Sequence, residues 1–229
     1  MIKIENVVTP SAEQWEAIIR GMRNPMNSWD RSDSGCSYVS DVHAIIDGEL
    51  VHQNPAAYVF CIGKNDLDLM TRLRNAGTDH RKFMRMITVY LDITAPIFWW
   101  SEYDTYKVGT VANSCSKMHK IHAKEFILDD FSYEHLYAPL QDLKPTIDLL
   151  NMYRERYLET KDKNDWRQMI ELLPSSYNQR RTVMLNYETL ANIYKSRKSH
   201  KLDEWVDFCA WIETLPYAEL ITGRNFGND

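Results

Sequence analysis

Met84-Arg-Met-Ile-Thr-Val-Tyr-Leu-Asp-Ile-Thr-Ala-Pro-Ile-Phe-Trp-Trp100 carries the strongest strand signal in the chain. As far as Ile93 it is rich in Ile, Thr, Val and Tyr, which suit a pleated, half-buried surface. Thr94-Ala95-Pro96 then reads as a helix start, with Thr94 as the cap and an apolar run into Trp100. Upstream, Met1 to Val8 alternates as a strand, and Thr9-Pro10-Ser11 opens a helix whose stripe is Trp15, Ile18, Ile19 and Met22. Asn24 to Ser40 reads as a long loop. Val42 to Ile46 and Glu49 to His52 flank Asp47-Gly48, the pattern of a tight hairpin, and Ala56 to Ile62 is a further strand. Leu67, Met70, Leu73 and Ala76 trace a helix that ends at Gly77.

The second half carries helical spacing: Tyr137 to Leu158, Trp166 to Leu173, Asn178 to Ser196 and Leu202 to Thr214. Strands early and helices late predict an α+β fold, with N-terminal strands in a mostly antiparallel sheet packed with helices, and a helical C-terminal half. No Gly, Ser or Pro-rich linker interrupts the chain, so residues 1–229 are read as one domain.

The balance of 27 basic against 32 acidic residues gives −5, which argues against a nucleic-acid polymer as partner. The longest apolar run, Ala95 to Trp100, is too short to span a membrane and the N-terminus lacks a leader pattern, so a cytoplasmic location is expected. Cys36, Cys61, Cys115 and Cys209 form no C-x-x-C pair. Cys115, His119 and His122 could face one side of a helix, but Lys117, Lys120 and Lys124 would repel a cation and no fourth ligand is near, so no metal is expected. P-loop, dinucleotide-fingerprint, H-E-x-x-H and G-x-S-x-G patterns are all missing.

Two segments carry candidate chemistry. From Trp100 to Lys117 an apolar helix gives way to polar groups and a glycine, as at the mouth of a ligand pocket, or equally in a solvated loop. In Asn186 to His200, if helical, Asn186 and Arg197 are eleven residues apart and share a face, with Asn192 nearby. Amides offer paired donors and acceptors, and Arg forks onto oxyanions; a water-facing stripe would look the same.

Leu91-Asp-Ile-Thr-Ala-Pro-Ile-Phe98 resembles the strand and helix entry of the flavin-dependent thymidylate synthases. Leu172-Leu-Pro174, Tyr177, Asn186, Leu190, Asn192, Arg197, His200 and Trp205 are similar to that family's C-terminal order. The family's signature is Arg-His-Arg followed by spaced Ser, Asn, Ser and Arg. Here Thr105-Tyr106-Lys107 stands at Arg-His-Arg, Thr110 at the first Ser, Ala112 at the Asn, Cys115 at the second Ser and Lys117 at the last Arg. Basic charge at Lys107 and Lys117 and the hydroxyl of Thr110 are what remains.

The resemblance implies FAD reduced by NADPH, methylenetetrahydrofolate as one-carbon donor, and a pyrimidine nucleotide such as dUMP as substrate, in a homo-oligomer, a homotetramer in the family. It implies Arg197, Lys117, Glu102 and Cys115 as substrate-binding residues, and Asn186, Asn192, His200, Tyr106 and Lys107 as cofactor-binding residues. No protein nucleophile is required, so no catalytic residue is assigned and Cys115 is not claimed as one. The losses in the signature leave an alternative open: a non-enzymatic nucleotide- or partner-binding protein that keeps the fold.

Overall fold

The computed structural model describes residues 2–39, 42–46, 49–53, 57–116 and 118–223. In chain order the elements are β1 (Lys3–Val8), α1 (Ala12–Arg23), β2 (Gly35–Val39), β3 (Val42–Ile46), β4 (Glu49–Gln53), β5 (Ala57–Cys61), α2 (Lys64–Asn75), β6 (Thr88–Pro96) and α3 (Ile97–Tyr103). There follow β7 (Val111–Ser114), α4 (Pro139–Thr160), α5 (Lys163–Glu171), β8 (Asn178–Asn186), α6 (Tyr187–Arg197), α7 (Asp203–Ile212) and α8 (Glu219–Thr222). The fold class is α+β, as expected. The backbone groups into two units, residues 1–7, 90–185 and 195–211 in one, and 8–89, 186–194 and 212–229 in the other.

The first unit is built on an antiparallel four-stranded sheet in the order β1-β6-β8-β7. Along β6 the side chains alternate: Leu91, Ile93 and Ala95 are buried, while Tyr90 is exposed and Asp92 lies on the same outer side. Asp92 ties three strands together, accepting from Asn6 Nδ2 at 2.7 Å, Arg180 Nη2 at 2.7 Å and Thr182 Oγ1 at 2.5 Å. Those bonds, led by Thr182, hold its carboxyl far below the usual carboxylate range.

Two expectations are corrected here. Thr94 does not cap a helix: the two-residue alternation persists, the strand runs through Pro96, and α3 begins at Ile97. Its first amides are satisfied by carbonyls distant in sequence, Ile97 N–H donating to Tyr177 O and Phe98 N–H to Ser175 O, both at 3.0 Å. Asn178 to Asn186 is not helical but the strand β8, flanked by β6 and β7 within the sheet. The spacing of Val183, Tyr187, Leu190 and Tyr194 straddles a strand and the following helix. β7 was likewise not anticipated; its Ala112 pairs with Val183 and Ser114 with Arg181.

Helices cover the sheet residues of this unit through aromatic side chains. Trp99 of α3 meets Trp205 and Phe208 of α7 and packs on Trp100 and Tyr103 of its own helix, with the Trp99 and Trp205 ring centroids 4.6 Å apart. A second cluster, Phe126, Phe131, Leu143, Leu150 and Met169, seats α4 and α5. Residues 115–116 and 118–127 are turns and irregular backbone, so His119 and His122 do not share a helix face.

In the second unit α1 opens with a full capping box. Ser11 Oγ accepts from Gln14 N–H, and Gln14 Oε1 accepts from Ser11 N–H at 2.8 Å. The expected stripe of Trp15, Ile18, Ile19 and Met22 is its buried face. β2 pairs with β5 and β3 with β4, both antiparallel; the Asp47-Gly48 turn lies outside the described residues. The expected loop from Asn24 to Ser40 contains β2 and two short 3-10 turns, pinned by Asp66 at the start of α2. Asp66, with its side chain wholly buried, meets Arg23 Nε at 2.5 Å and accepts from Ser32 Oγ at 2.7 Å and Ser34 Oγ at 2.6 Å. Burial pushes its carboxyl up, but the bonds from Ser34, Ser32 and Arg23 outweigh it and hold the pKa below normal. α2 ends at Asn75 rather than Gly77, whose φ of 109° suits glycine in the turn that follows.

Candidate functional site

In the first unit the structure gathers Glu102, Tyr106, Arg197 and His200, with Glu102 and Arg197 95 positions apart. Glu102 sits in the last turn of α3 and Arg197 ends α6. Arg197 Nη1 donates to Glu102 Oε2 at 2.5 Å and Nε donates to Tyr106 Oη at 2.9 Å. The same carboxylate oxygen accepts from Trp205 Nε1 at 3.0 Å, and the guanidinium carbon lies 4.7 Å from the Trp205 ring centroid. His200 Nδ1 accepts from Leu202 N–H at 3.2 Å, and its Nε2 lies 2.9 Å from Arg197 Nη1 and 3.6 Å from Glu102 Oε2. The guanidinium is thus met by a carboxylate, a phenol and an indole of its own chain. Its charge is locally balanced by Glu102.

Beside this cluster lies a cleft of about 300 Å³ lined by Tyr103, Asp104, Tyr106, Lys107, Thr110 and Ala112. Its back wall is a buried phenol. Tyr103 is 2 % exposed, and its hydroxyl has no hydrogen-bond partner among the described residues. Burial pushes that phenol well above its ordinary pKa; the neighbouring Arg181 opposes the rise and Asp104 adds to it. Arg181 is fixed by Asp104 Oδ1 at 2.7 Å and Gln179 Oε1 at 3.1 Å, and stacks 4.2 Å over Trp100. Thr110 spends its hydroxyl proton on Tyr106 O at 2.6 Å. Lys107 has no hydrogen bond or ion pair among the described residues.

Such a cleft offers a neutral buried donor and acceptor, an ammonium and one aromatic face. That set fits a phosphate- or hydroxyl-bearing planar ligand, because an orphaned buried hydroxyl is costly until a ligand or water completes it. Neither Tyr103 nor Arg181 was a sequence candidate. The four-residue spacing of Trp99 and Tyr103 reads as core, and only the tertiary structure turns the hydroxyl to a cleft.

The remaining candidates lie elsewhere. Cys115 has an exposed side chain, and its backbone is tied by Cys115 N–H to Arg180 O at 3.0 Å and by Gln179 Nε2 to Cys115 O at 2.9 Å. Lys117 lies outside the described residues. Asn186 and Asn192 belong to the second unit. Asn186 ends β8 instead of standing on a helix face; its Oδ1 accepts from Thr189 N–H at 3.0 Å and so caps α6. Asn192 accepts from Arg81 Nη2 at 3.3 Å. There Glu188 lies between Arg81, at 3.3 Å, and Arg85. Burial raises the Glu188 carboxyl, but Arg85 and Arg81 together hold it below normal. Two guanidiniums meet this carboxylate, and Asp79 also acts on Arg85. Among the described residues no three His, Cys, Asp or Glu side chains are placed to hold a metal ion, and no helix is long and apolar enough to cross a membrane.

No protein-family model and no curated protein matches the chain. Solved structures do. The flavin-dependent thymidylate synthase ThyX from Helicobacter pylori, complexed with FAD and dUMP, aligns with a TM-score of 0.60 at 17% identity, over 97% of this chain and 98% of that one. A second Helicobacter pylori ThyX structure with FAD and dUMP gives a TM-score of 0.62 at 16% identity, over 97% of each chain. The UMP/dUMP methylase PolB from Streptomyces cacaoi, bound with 5-Br dUMP, gives 0.60 at 14% identity, over 97% of this chain and 95% of that one. At such identities the likeness is one of architecture: over nearly its whole length this chain has the fold of the flavin-dependent thymidylate synthases.

Proposed function

We propose that the chain is a thymidylate synthase-like enzyme that transfers a one-carbon unit to C5 of a pyrimidine nucleotide, dUMP or a close relative. The observation that carries this reading is the unpartnered Tyr103 hydroxyl buried at the back of a cleft with Tyr106 and Lys107, in a fold whose similar structures hold FAD and dUMP. Lys107 supplies a cation for a phosphate, and Tyr103 a neutral donor that remains protonated at physiological pH. Tyr106 gives a ring edge and anchors Arg197 through its hydroxyl. On the substrate side, Arg197, Lys117 and Cys115 orient the nucleotide, with Arg197 stiffened by stacking on Trp205, while Glu102 acts through Arg197, holding its guanidinium until a phosphate competes for it. On the cofactor side the reading takes His200, Tyr106 and Lys107 from the first unit and, separately, Asn186 and Asn192 from the second, where Arg81 beside Asn192 adds charge for a phosphate. Bound FAD, reduced by NADPH, supplies the redox chemistry, and methylenetetrahydrofolate the carbon; the protein orients them and excludes water. A homo-oligomer, a homotetramer as in the family, belongs to the same reading, as does a cytoplasmic setting.

Calorimetric titration with FAD and dUMP, followed by a turnover assay for 5-methylated product, tests this. Uptake of FAD with yellow colour, and product formation, are expected. A colourless protein that takes up neither FAD nor dUMP would refute it. A second reading, a catalytically silent protein retaining the fold, is favoured by one feature, the neutralisation of Arg197 by Glu102. Binding of dUMP without product under reducing conditions would select it.

A further inference from the structure

We infer that the cleft beside α3 selects its pyrimidine nucleotide by the vicinal diol of a ribose, so that a ribonucleotide such as UMP is taken in preference to dUMP. This deepens the reading above and rests on it for the nucleotide itself. The residues that carry it are Tyr103, whose hydroxyl is buried without a partner, and Asp104, which lines the same cleft. Both belong to the first unit, as does Arg181, which holds Asp104 in place.

Asp104 is fixed at one oxygen and open at the other. Its Oδ1 accepts from Arg181 Nη1 at 2.7 Å, while Oδ2 has no hydrogen bond among the described residues. Arg181 is itself held. Its side chain is 12% exposed, stacks on Trp100 and donates from Nε to Gln179 Oε1 at 3.1 Å, and Gln179 Nε2 donates in turn to Cys115 O at 2.9 Å. The carboxylate also stands at the C-terminal cap of α3, the end of a helix where the backbone dipole disfavours an acid, so helix stability does not call for it there.

The two groups complement a hydroxyl. The phenol, kept protonated chiefly by burial, donates, and the carboxylate oxygen only accepts. A ligand hydroxyl does both, whereas a phosphate would be repelled by Asp104 and a cation would leave the phenol's proton unused. Ribose presents two neighbouring hydroxyls, one for each group. A 2-deoxyribose presents one, and leaves either the buried phenol or the carboxylate oxygen unmet, which is the costly side of hydrogen bonding. An acidic side chain is likewise what dinucleotide-binding folds set against a ribose 2′-hydroxyl, the group that distinguishes the two sugars. Tyr106 lines the cleft and bonds Arg197, which sets the sugar site beside the cation assigned to the phosphate.

Calorimetric titration of the full chain with UMP and with dUMP, at fixed ionic strength and with and without FAD, tests this. UMP should bind about tenfold more tightly than dUMP, as for one charge-assisted hydrogen bond. Asp104→Asn keeps an acceptor for Arg181 and removes the acceptor facing the cleft; it should weaken UMP and bring the two nucleotides within about twofold of each other. Tyr103→Phe should narrow the ratio in the same direction and guards against misfolding of the first variant. Equal affinities in the parent, or tighter dUMP, overturn the inference and leave the nucleotide reading in place. A UMP preference that survives in both variants overturns it too, with or without a loss of FAD, because the diol is then met elsewhere. UMP-selective binding without 5-methylated product upholds the inference and sinks the one-carbon reading. Uptake of neither nucleotide overturns both.

Discussion

Glu102→Gln is the change that best tests how Arg197 meets an anion. The substitution keeps side-chain length and one acceptor oxygen for Trp205 Nε1, while removing the charge that neutralises the guanidinium. A hydrogen bond to a charged group is worth about 1.5–3 kcal/mol. The partners are 18% and 35% exposed, so solvent screening brings the net value of the pair to about 1 kcal/mol. A nucleotide phosphate drawn to Arg197 has to compete with that carboxylate. Its removal should therefore tighten dUMP by the same about 1 kcal/mol, or about fivefold in Kd. Deoxyuridine, which lacks the phosphate, should change less than twofold. Calorimetry of both ligands against both proteins at low, fixed ionic strength gives the four constants. The variant should also lose about 2–4 °C in Tm, the equivalent of about 1 kcal/mol in a chain of this size. Equal tightening of the two ligands, or weaker dUMP binding in the variant, would refute competition and make Glu102 part of the ligand's own contact set.

Tyr103→Phe should leave Tm unchanged or raise it, since the hydroxyl it removes has no partner, yet weaken dUMP or FAD in a titration; a fall in Tm with unaltered binding would make the phenol structural. Asn186→Ala should cost about 1 kcal/mol by uncapping α6, read in a urea melt, and a loss of flavin occupancy without loss of stability would instead favour ligand contact. Asn192→Ala is expected to lower flavin absorbance in the purified protein while its melting curve stays in place. Because Asp66 has a lowered folded pKa, its stabilising contribution is complete above the unfolded value of about 4 and fades as pH falls through the folded value. Asp66→Asn should flatten that acid limb of a pH-stability curve and cost about 3–5 kcal/mol at neutral pH by stranding Arg23; a steep limb that persists in the variant would place the acid sensitivity elsewhere.

Legibility followed the range of the interactions. α1 was readable because its stripe and its Ser11 cap are local, and α4, α5 and α7 followed from 3.6-residue spacing in the same way. β8 was not, because its partners β6 and β7 are far away in sequence and its last residues run straight into a helical stripe. Thr94 misled for a related reason: a Thr before Ala-Pro is a sound local cap, but the amides at the start of α3 are taken by carbonyls near Tyr177. Among the site candidates, Arg197, Glu102, Tyr106 and His200 were named from sequence order. Their mutual bonding, and the use of Asn186 as a helix cap, were not visible there.

The sequence by itself determined the α+β class, the amphipathic helices and a resemblance that the fold bears out, since periodicity, capping and residue order are written along the chain. The tertiary structure alone decided that Glu102 quenches Arg197 and that the Tyr103 hydroxyl is buried against a cleft. Charge pairing and desolvation depend on distances in space between residues remote in sequence. Folding sets those distances, and no local pattern records them.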